Sequence, residues 1–324
     1  MKLLLDDSRS LLFLNLLSFV FIASVALVLS TPKTNYNKET TNPPTAFAPL
    51  PVISKEATFP IISAQAALAI DMDSQVSLYE KRADSPFLPA STTKIVTALV
   101  AMEYYPLNLV VKVPEFSVEG PKVLSAVEGQ KMGLIKGEEI EVEDLLYGLL
   151  VYSANDAAEV LALNFPGGRD LFIVAMNLKA KELGLAHSKF SNPAGLDDGD
   201  GHVTTAKDLI RVSEIAMKNP LFAKIVGTKE KTVTSTNGRI VHKLKNINEL
   251  LGSIDGVKGV KTGWTENARE NLVTYIERDG HKVMIALLGS QDRFGETREL
   301  IDWIFENYDW QEVKPPVTLR RILP

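Results

Sequence analysis

The spacing of hydrophobic positions changes from short runs to helical periodicity and back along this chain. Residues 64–72 and 75–79 are short apolar runs broken by Asp73 and Ser74, the pattern of a β-hairpin. After Pro86 and Pro89 the period lengthens. Ile95, Ala98, Leu99 and Met102 recur at helical spacing from Thr92 onward, and Pro106 ends that helix near Tyr105. Residues 142–151 predict a second helix with Leu145, Leu146 and Leu149 on one face, and 157–163, 171–183 and 205–217 continue the helical stretch. Residues 231–234 and 239–244 flank Asn237-Gly238, which predicts a type I′ hairpin. Residues 257–262, 271–277 and 282–288 read as strands, with Asp279-Gly280 turning between the last two, and 296–308 closes the pattern as an amphipathic helix.

Strands thus lie at both ends of the globular part and helices in its middle. That order predicts an α+β fold: one antiparallel sheet built from N- and C-terminal strands, with a helical lobe inserted between them. A cleft between sheet and lobe is the expected place for a ligand.

The N-terminal end departs from this pattern. Residues 11–30 are apolar apart from Asn15 and a few serines, about the length that crosses a bilayer as a helix. No small-x-small pair stands near the end of the segment and Pro32 follows, so an uncleaved signal anchor fits better than a cleaved signal peptide. Lys2 and Arg9 before it, and Lys33 and Lys38 after it, leave its orientation open. Residues 31–60 are rich in Pro, Thr and Asn and are expected to form an extended spacer. The expected organisation is a membrane segment at 1–30, a linker at 31–60, a catalytic domain at 61–312 and a tail at 313–324.

Composition narrows the chemistry. A net charge of −5 gives no basic footprint for nucleic acid. The absence of cysteine removes disulfides, thiolate metal sites and a thiol nucleophile. His187, His202, His242 and His281 are scattered and expected at the surface, which argues against a zinc peptidase; no metal or other cofactor is expected.

Three short motifs carry the candidate chemistry. Ser91-Thr92-Thr93-Lys94 opens the first long helix, where residues three apart share a face and the Lys94 amine can reach the Ser91 hydroxyl. The helix N-terminus offers free N–H groups to a developing oxyanion, and burial lowers a lysine pKa enough to make it a base. Taken alone, the motif reads better as a serine cap with a lysine reaching past it, and Ser30-Thr31-Pro32-Lys33 is a second copy at the end of the apolar segment. Ser153-Ala154-Asn155 sits between two helices at the edge of the expected cleft. Its hydroxyl can relay a proton and its amide can hold a carbonyl or the lysine, although a helix cap explains the serine as well. Ser235-Thr236-Asn237 repeats that pattern inside a hairpin turn. Lys261-Thr262-Gly263 occurs once, at the end of an apolar strand. Lysine and threonine together suit a carboxylate, and Gly263 would let a substrate backbone approach, unless the segment is simply a charged strand end with a glycine turn. The three motifs in this order are the signature of penicillin-binding proteins and serine β-lactamases.

The flanking residues sharpen the likeness. Pro89-Ala90-Ser91-Thr92-Thr93-Lys94, Glu143-Asp144-Leu145-Leu146-Tyr147 leading into Ser153-Ala154-Asn155-Asp156-Ala157-Ala158, Asn192-Pro193-Ala194-Gly195-Leu196, Thr205-Ala206-Lys207-Asp208-Leu209 and Gly259-Val260-Lys261-Thr262-Gly263-Trp264-Thr265 resemble the low-molecular-mass penicillin-binding proteins of the serine D-Ala-D-Ala carboxypeptidase family. The likeness covers residues 64–308. It implies the three-layer α/β/α arrangement of the serine β-lactamase and D,D-peptidase fold, and an acyl-enzyme mechanism. Ser91, deprotonated by Lys94, would attack the carbonyl between the last two D-alanines, and water would free the shortened stem. The resemblance further implies an oxyanion site between the backbone N–H groups of Ser91 and Trp264, proton management by Ser153 and Lys261, substrate orientation by Asn155, and carboxylate binding by Thr262 and, from its place before the last helix, Arg293. Trp264 fills a place where a histidine or another aromatic is expected.

The partners implied are peptidoglycan stem peptides, β-lactams as covalent inhibitors, and the cytoplasmic membrane through the N-terminal segment, with the catalytic domain on the extracytoplasmic side. Many relatives add a β-rich second domain and a C-terminal amphipathic anchor; residues 311–324 are expected to hold neither, which leaves tethering to the N-terminal segment. A class A β-lactamase would need a Glu-x-x-x-Asn segment between the second and third motifs, and residues 156–260 contain none. A D,D-endopeptidase acting on crosslinks and a non-catalytic penicillin sensor remain as alternatives.

Overall fold

The computed structural model describes residues 48–114, 129–198 and 201–313. The expected membrane segment, most of the expected spacer and all but the first residue of the expected tail lie outside them. Among the described residues no helix is long and apolar enough to cross a membrane.

Strands β1 (Leu50–Ile53), β2 (Ala66–Asp71) and β3 (Ser77–Lys81) precede a 3-10 turn at Ala90–Thr93 that leads into α1 (Lys94–Tyr104). Tyr105 turns to extended backbone because Pro106 follows it. The pair β4 (Val110–Lys112) and β5 (Glu139–Glu141) stands before the helical run α2 (Val142–Val151), α3 (Asn155–Leu163), α4 (Arg169–Glu182), α5 (Ala206–Met217) and α6 (Pro220–Val226). Thr205 caps α5 by accepting from the Asp208 N–H, and Asn219 caps α6 ahead of Pro220 at its first position. The chain then forms the hairpin β6 (Glu230–Thr234) and β7 (Val241–Lys245), the strands β8 (Val257–Thr265), β9 (Arg269–Arg278) and β10 (His281–Ser290), helix α7 (Arg293–Asn307) and β11 (Tyr308–Gln311).

The central sheet runs in the order β3-β2-β10-β9-β8, antiparallel throughout, so β10 returns to lie beside the N-terminal hairpin. Its inner strands are buried on both faces. Ala66, Leu68 and Ile70 of β2, with Met284, Ala286 and Leu288 of β10, face the core shared with the helical lobe. The alternate residues Ala67, Ala69, Val283, Ile285 and Leu287 pack with Leu300, Ile301 and Ile304 of α7. Helices on both sides of one sheet give the expected three layers and leave β8 as an edge beside the lobe.

Three expectations need correction. The turn between β6 and β7 is not type I′, because Gly238 has positive φ and Asn237 does not. Ser235 and Ile240 close a wider loop: the Ser235 N–H donates to Ile240 O at 3.0 Å, and the Ile240 N–H donates to Ser235 Oγ at 3.0 Å. Asp279-Gly280 does have positive φ at both positions, as a two-residue hairpin turn requires. The folded body also begins before residue 61. β1 pairs antiparallel with β11, the Trp303 Nε1–H donates to Thr58 O at 2.7 Å, and Phe59 lies 4.9 Å from the Trp303 ring. The proline-rich composition of this stretch hid a short strand whose partner lies at the far end of the chain. Finally, His202 and His242 are buried rather than exposed. His242 Nδ1–H donates to Met132 O at 3.0 Å, and its Nε2 pairs with Glu138 Oε1 at 2.7 Å.

Candidate active site

The three motifs meet where the edge strand β8 faces the start of α1 and the α2–α3 connection. They border a cleft of about 720 Å³ lined by Ser91, Ser153, Asn155, Thr262, Gly263, Trp264 and Arg293, together with Gln130 and the 195–197 loop. Two smaller clefts, of about 430 and 540 Å³, contain none of the motif residues.

Ser91 sits in the 3-10 turn, one residue after Ala90, whose φ of 49° is strained for a residue with a Cβ. The turn is held from the sheet side: Asn271 of β9 is fully buried and its Nδ2 donates to Leu88 O and Pro89 O, both at 2.9 Å. Gly263 serves this packing. A Cβ there would fall 3.1 Å from both Pro89 O and the Ser91 nitrogen, so the glycine admits the nucleophile turn against β8 whether or not substrate is present. Among the described residues no acceptor takes the Ser91 N–H, which leaves it available to an oxyanion; Trp264, the expected source of the second donor, lies on the same edge strand and lines the same cleft.

Lys94 is wholly buried beneath Ser91. Its Nζ lies 2.7 Å from Ser91 Oγ and donates to Asn155 Oδ1 at 2.6 Å and to Ala194 O at 2.6 Å. Burial pushes its pKa down from 10.5 to about 7, against the pull of Glu159 and Asp156. A neutral amine has two N–H bonds and one lone pair. With Asn155 and Ala194 offering only acceptors, the lone pair is left for the Ser91 hydroxyl, the geometry of a base on its nucleophile.

Ser153 holds a φ of 61° between α2 and α3 and is buried. Lys261 Nζ donates to Ser153 Oγ at 2.8 Å and to Thr262 O at 2.9 Å. Burial, then Lys94 and Arg293, push the Lys261 pKa well below its ordinary value. Asn155 opens α3, its N–H donating to Gln130 O at 2.8 Å, and Asp156 beside it accepts from the N–H groups of Met132, Gly133 and Leu134.

Arg293 is half-buried and lines the cleft. Its Nη1 donates to Gly263 O at 2.9 Å, its backbone N–H donates to Glu270 Oε2 at 2.9 Å, and burial pushes its pKa down. Its Nε–H is buried without a partner among the described residues. Trp264 is 61% exposed at the rim. Across that rim, Asp197 accepts from Thr265 Oγ1 at 2.8 Å and from Asn267 Nδ2 at 3.0 Å, which ties the lobe to the β8–β9 turn.

The motifs could not reveal the Ala194 carbonyl, because a backbone acceptor leaves no side-chain signature. The loop that presents it was legible only as a family-like stretch. Asn192 Oδ1 accepts from the N–H groups of Gly195 and Leu196, Thr97 Oγ1 donates to Pro193 O, and Gly195 at φ 86° packs so tightly on Ala90 that a Cβ would meet its carbonyl oxygen at 1.9 Å. Asn271 went unnoticed because a polar residue in a strand carries no sign of what it will hold.

Comparison with known proteins agrees with this arrangement. The family model for D-alanyl-D-alanine carboxypeptidase matches residues 53–292. The D-alanyl-D-alanine carboxypeptidase of Streptomyces sp. strain K15 is 36% identical over 243 residues, 72% of this chain and 83% of that protein. The D-alanyl-D-alanine carboxypeptidase DacF of Bacillus subtilis is 30% identical over 249 residues, 76% of this chain, and the match spans 63% of that relative's length. Among solved structures, the Streptomyces K15 DD-transpeptidase superposes with a TM-score of 0.71 at 31% identity, covering 77% of this chain and all of that one. With Ser91, the buried Lys94 and the edge strand β8 brought to one cleft, the chain belongs to the D-alanyl-D-alanine carboxypeptidase family of serine peptidases.

Proposed function

We propose that the protein is a serine D-alanyl-D-alanine carboxypeptidase that removes the terminal D-Ala from peptidoglycan stem peptides and is acylated by β-lactams at Ser91. The observation that carries this reading is the bonding of Lys94, whose two acceptor-only neighbours aim a lone pair at the Ser91 hydroxyl. In the acylation step Lys94 takes the Ser91 proton as Oγ bonds to the carbonyl carbon of the penultimate D-Ala. The oxyanion is received by the Ser91 and Trp264 N–H groups. Ser153, held by Lys261, passes a proton to the leaving nitrogen and is resupplied with the proton that Lys94 took, which returns Lys94 to the neutral amine; the C–N bond breaks, and terminal D-Ala departs as its amine. Water, deprotonated by Lys94, then adds to the ester, and Lys94 hands that proton to Ser91 Oγ as the acyl C–O bond breaks. Thr262 and the guanidinium of Arg293, both lining the cleft, receive the substrate carboxylate. Asn155 both orients substrate and holds the base.

The proposal extends to location. The apolar segment at 11–30 would tether the catalytic domain to the cytoplasmic membrane, facing outward, where its substrate lies. Digestion of defined muropeptides tests the activity: free D-Ala should appear from a stem pentapeptide with its C-terminus open, and not with Ser91→Ala. Cleavage of crosslinked dimers without D-Ala release would make it an endopeptidase, and acylation without either product a sensor. Recovery of the full-length protein in the soluble fraction would remove the tether.

A further inference from the structure

A buried histidine behind the nucleophile turn joins the two segments between which Lys94 is held. His202 is 1% exposed and outside the cleft lining. The Ser191 N–H donates to its Nδ1 at 3.0 Å, and a backbone N–H can only donate, so the ring proton is on Nε2. Nε2–H then donates to Thr93 Oγ1 at 2.8 Å. Thr93 is the last residue of the 3-10 turn that carries Ser91, and it directly precedes Lys94. Ser191 enters the 192–196 loop, which ends its approach to the site by placing the Ala194 carbonyl 2.6 Å from Lys94 Nζ. One imidazole therefore spans the nucleophile turn on one side and the carbonyl-bearing loop on the other.

The mounting of this ring is rigid. Residues 203 and 204 next to it are paired on both sides, with Lys189↔Val203 and Phe87↔Thr204 as antiparallel bridges, and Phe87 lies on the segment that leads into Ser91. Phe190 meets the ring edge-on at 5.8 Å. Burial pushes the imidazole pKa down to about 4, against the pull of Asp198 and Asp197 and with the help of Lys94, so the ring is neutral and holds the tautomer the bonds require throughout the neutral range.

We propose that His202 is a positioning residue for the base: by tying Thr93 to Ser191 it holds the Ala194 carbonyl on Lys94 Nζ, keeps water from that amine, and so directs the lone pair to Ser91. The proposal rests on Lys94 acting as the base for Ser91. Its chemical consequence is specific. Burial is the chief cause of the low Lys94 pKa. A loosened 192–196 loop would let water replace the carbonyl, and the ammonium would be stabilised.

The test is the rate of acylation of the full chain by a fluorescent penicillin between pH 5 and pH 10, in the wild type, His202→Ala and His202→Asn. Wild-type acylation should rise through the Lys94 ionisation. In His202→Ala the midpoint should move up by about one pH unit, with acylation at pH 7 reduced about fivefold and recovering toward pH 9. His202→Asn keeps an acceptor for the Ser191 N–H and should recover part of the displacement. A midpoint that stays or falls in a folded variant overturns the proposal and leaves His202 a structural pin. If neither variant folds, Thr93→Val removes the other end of the bridge and must move the midpoint in the same upward direction, or the proposal fails. Wild-type protein that is not acylated at any pH would refute the functional reading itself, a result distinct from an unmoved midpoint.

Discussion

The substitution Asn155→Asp tests the proposed base with almost no change of shape. Asn155 Oδ1 accepts from Lys94 Nζ at 2.6 Å, so the substitution places a carboxylate charge against the amine. Burial has already brought the Lys94 pKa from 10.5 to about 7, which corresponds to about 5 kcal/mol against the ammonium in the folded protein. An opposite charge at contact returns about 1–3 pH units of that. The midpoint of acylation should therefore move from about 7 to about 8–10. At pH 7 the free-base fraction falls from about one half to between about one tenth and one thousandth, and acylation slows in proportion. The sign follows from the base: the rate rises with pH as Lys94 loses its proton, and a raised pKa pushes that rise to higher pH. Acylation by a fluorescent penicillin measured from pH 5 to pH 10 reads it directly. The variant also loses the Nδ2 donor, which alters the plateau rate and not the midpoint; the midpoint decides. A uniform loss at every pH, with the midpoint still near 7, would show that Lys94 does not govern the step.

Ser91→Ala and Lys94→Ala should each abolish covalent labelling by penicillin while circular dichroism and melting show a folded protein. Arg293→Ala should lower kcat/KM for a peptide with a free C-terminal carboxylate by about 2–4 kcal/mol, and affect the matched C-terminal amide much less; equal losses on both would make Arg293 a packing residue. A chain beginning at Ile61 should be less stable by about 2–4 kcal/mol than one beginning at Ala48, because it loses β1, the bond from Trp303 to Thr58 and the cover of Phe59; equal melting temperatures would refute that contribution.

Much of this architecture was legible because its signals are local. Pro106 ends α1 by steric exclusion, Leu145, Leu146 and Leu149 mark the buried face of α2, and Asp279-Gly280 adopts the positive φ pair its hairpin needs. What stayed hidden is non-local or conformational. β1 is unremarkable until β11 lies beside it. Asn237-Gly238 loses its local preference to Ser235, whose hydroxyl accepts from Ile240 and bonds to Asn237 Oδ1 at 2.9 Å. The motifs supplied the side chains of the site, yet the strained backbone at Ala90 and Ser153 and the carbonyl of Ala194 are properties of the assembled fold. His202 and His242 were misjudged for the same reason: isolated in sequence, each finds its partners among residues about 10 to 110 positions away.

The charge pattern of the site runs against that of the chain. With a net charge of −5 the molecule is acidic, yet Lys94, Lys261 and Arg293 converge on one cleft. Their mutual repulsion contributes to the low pKa of Lys261, and burial adds the larger part. Such a group of cations is stable only if its members shed protons or gain an anion. On the proposed reading Lys94 sheds its proton and becomes the base. Arg293 cannot, and keeps a buried N–H unpaired among the described residues. On the proposed reading, the carboxylate of a terminal D-Ala is the anion that completes this group: it pairs with Arg293 and relieves the repulsion on Lys261. Lys261 can then hold a proton beside Ser153 at the point where the leaving nitrogen needs one. Carboxylate recognition and proton supply would thus be one electrostatic event, which is why the free-acid and amide peptides are expected to separate in kcat as well as in KM.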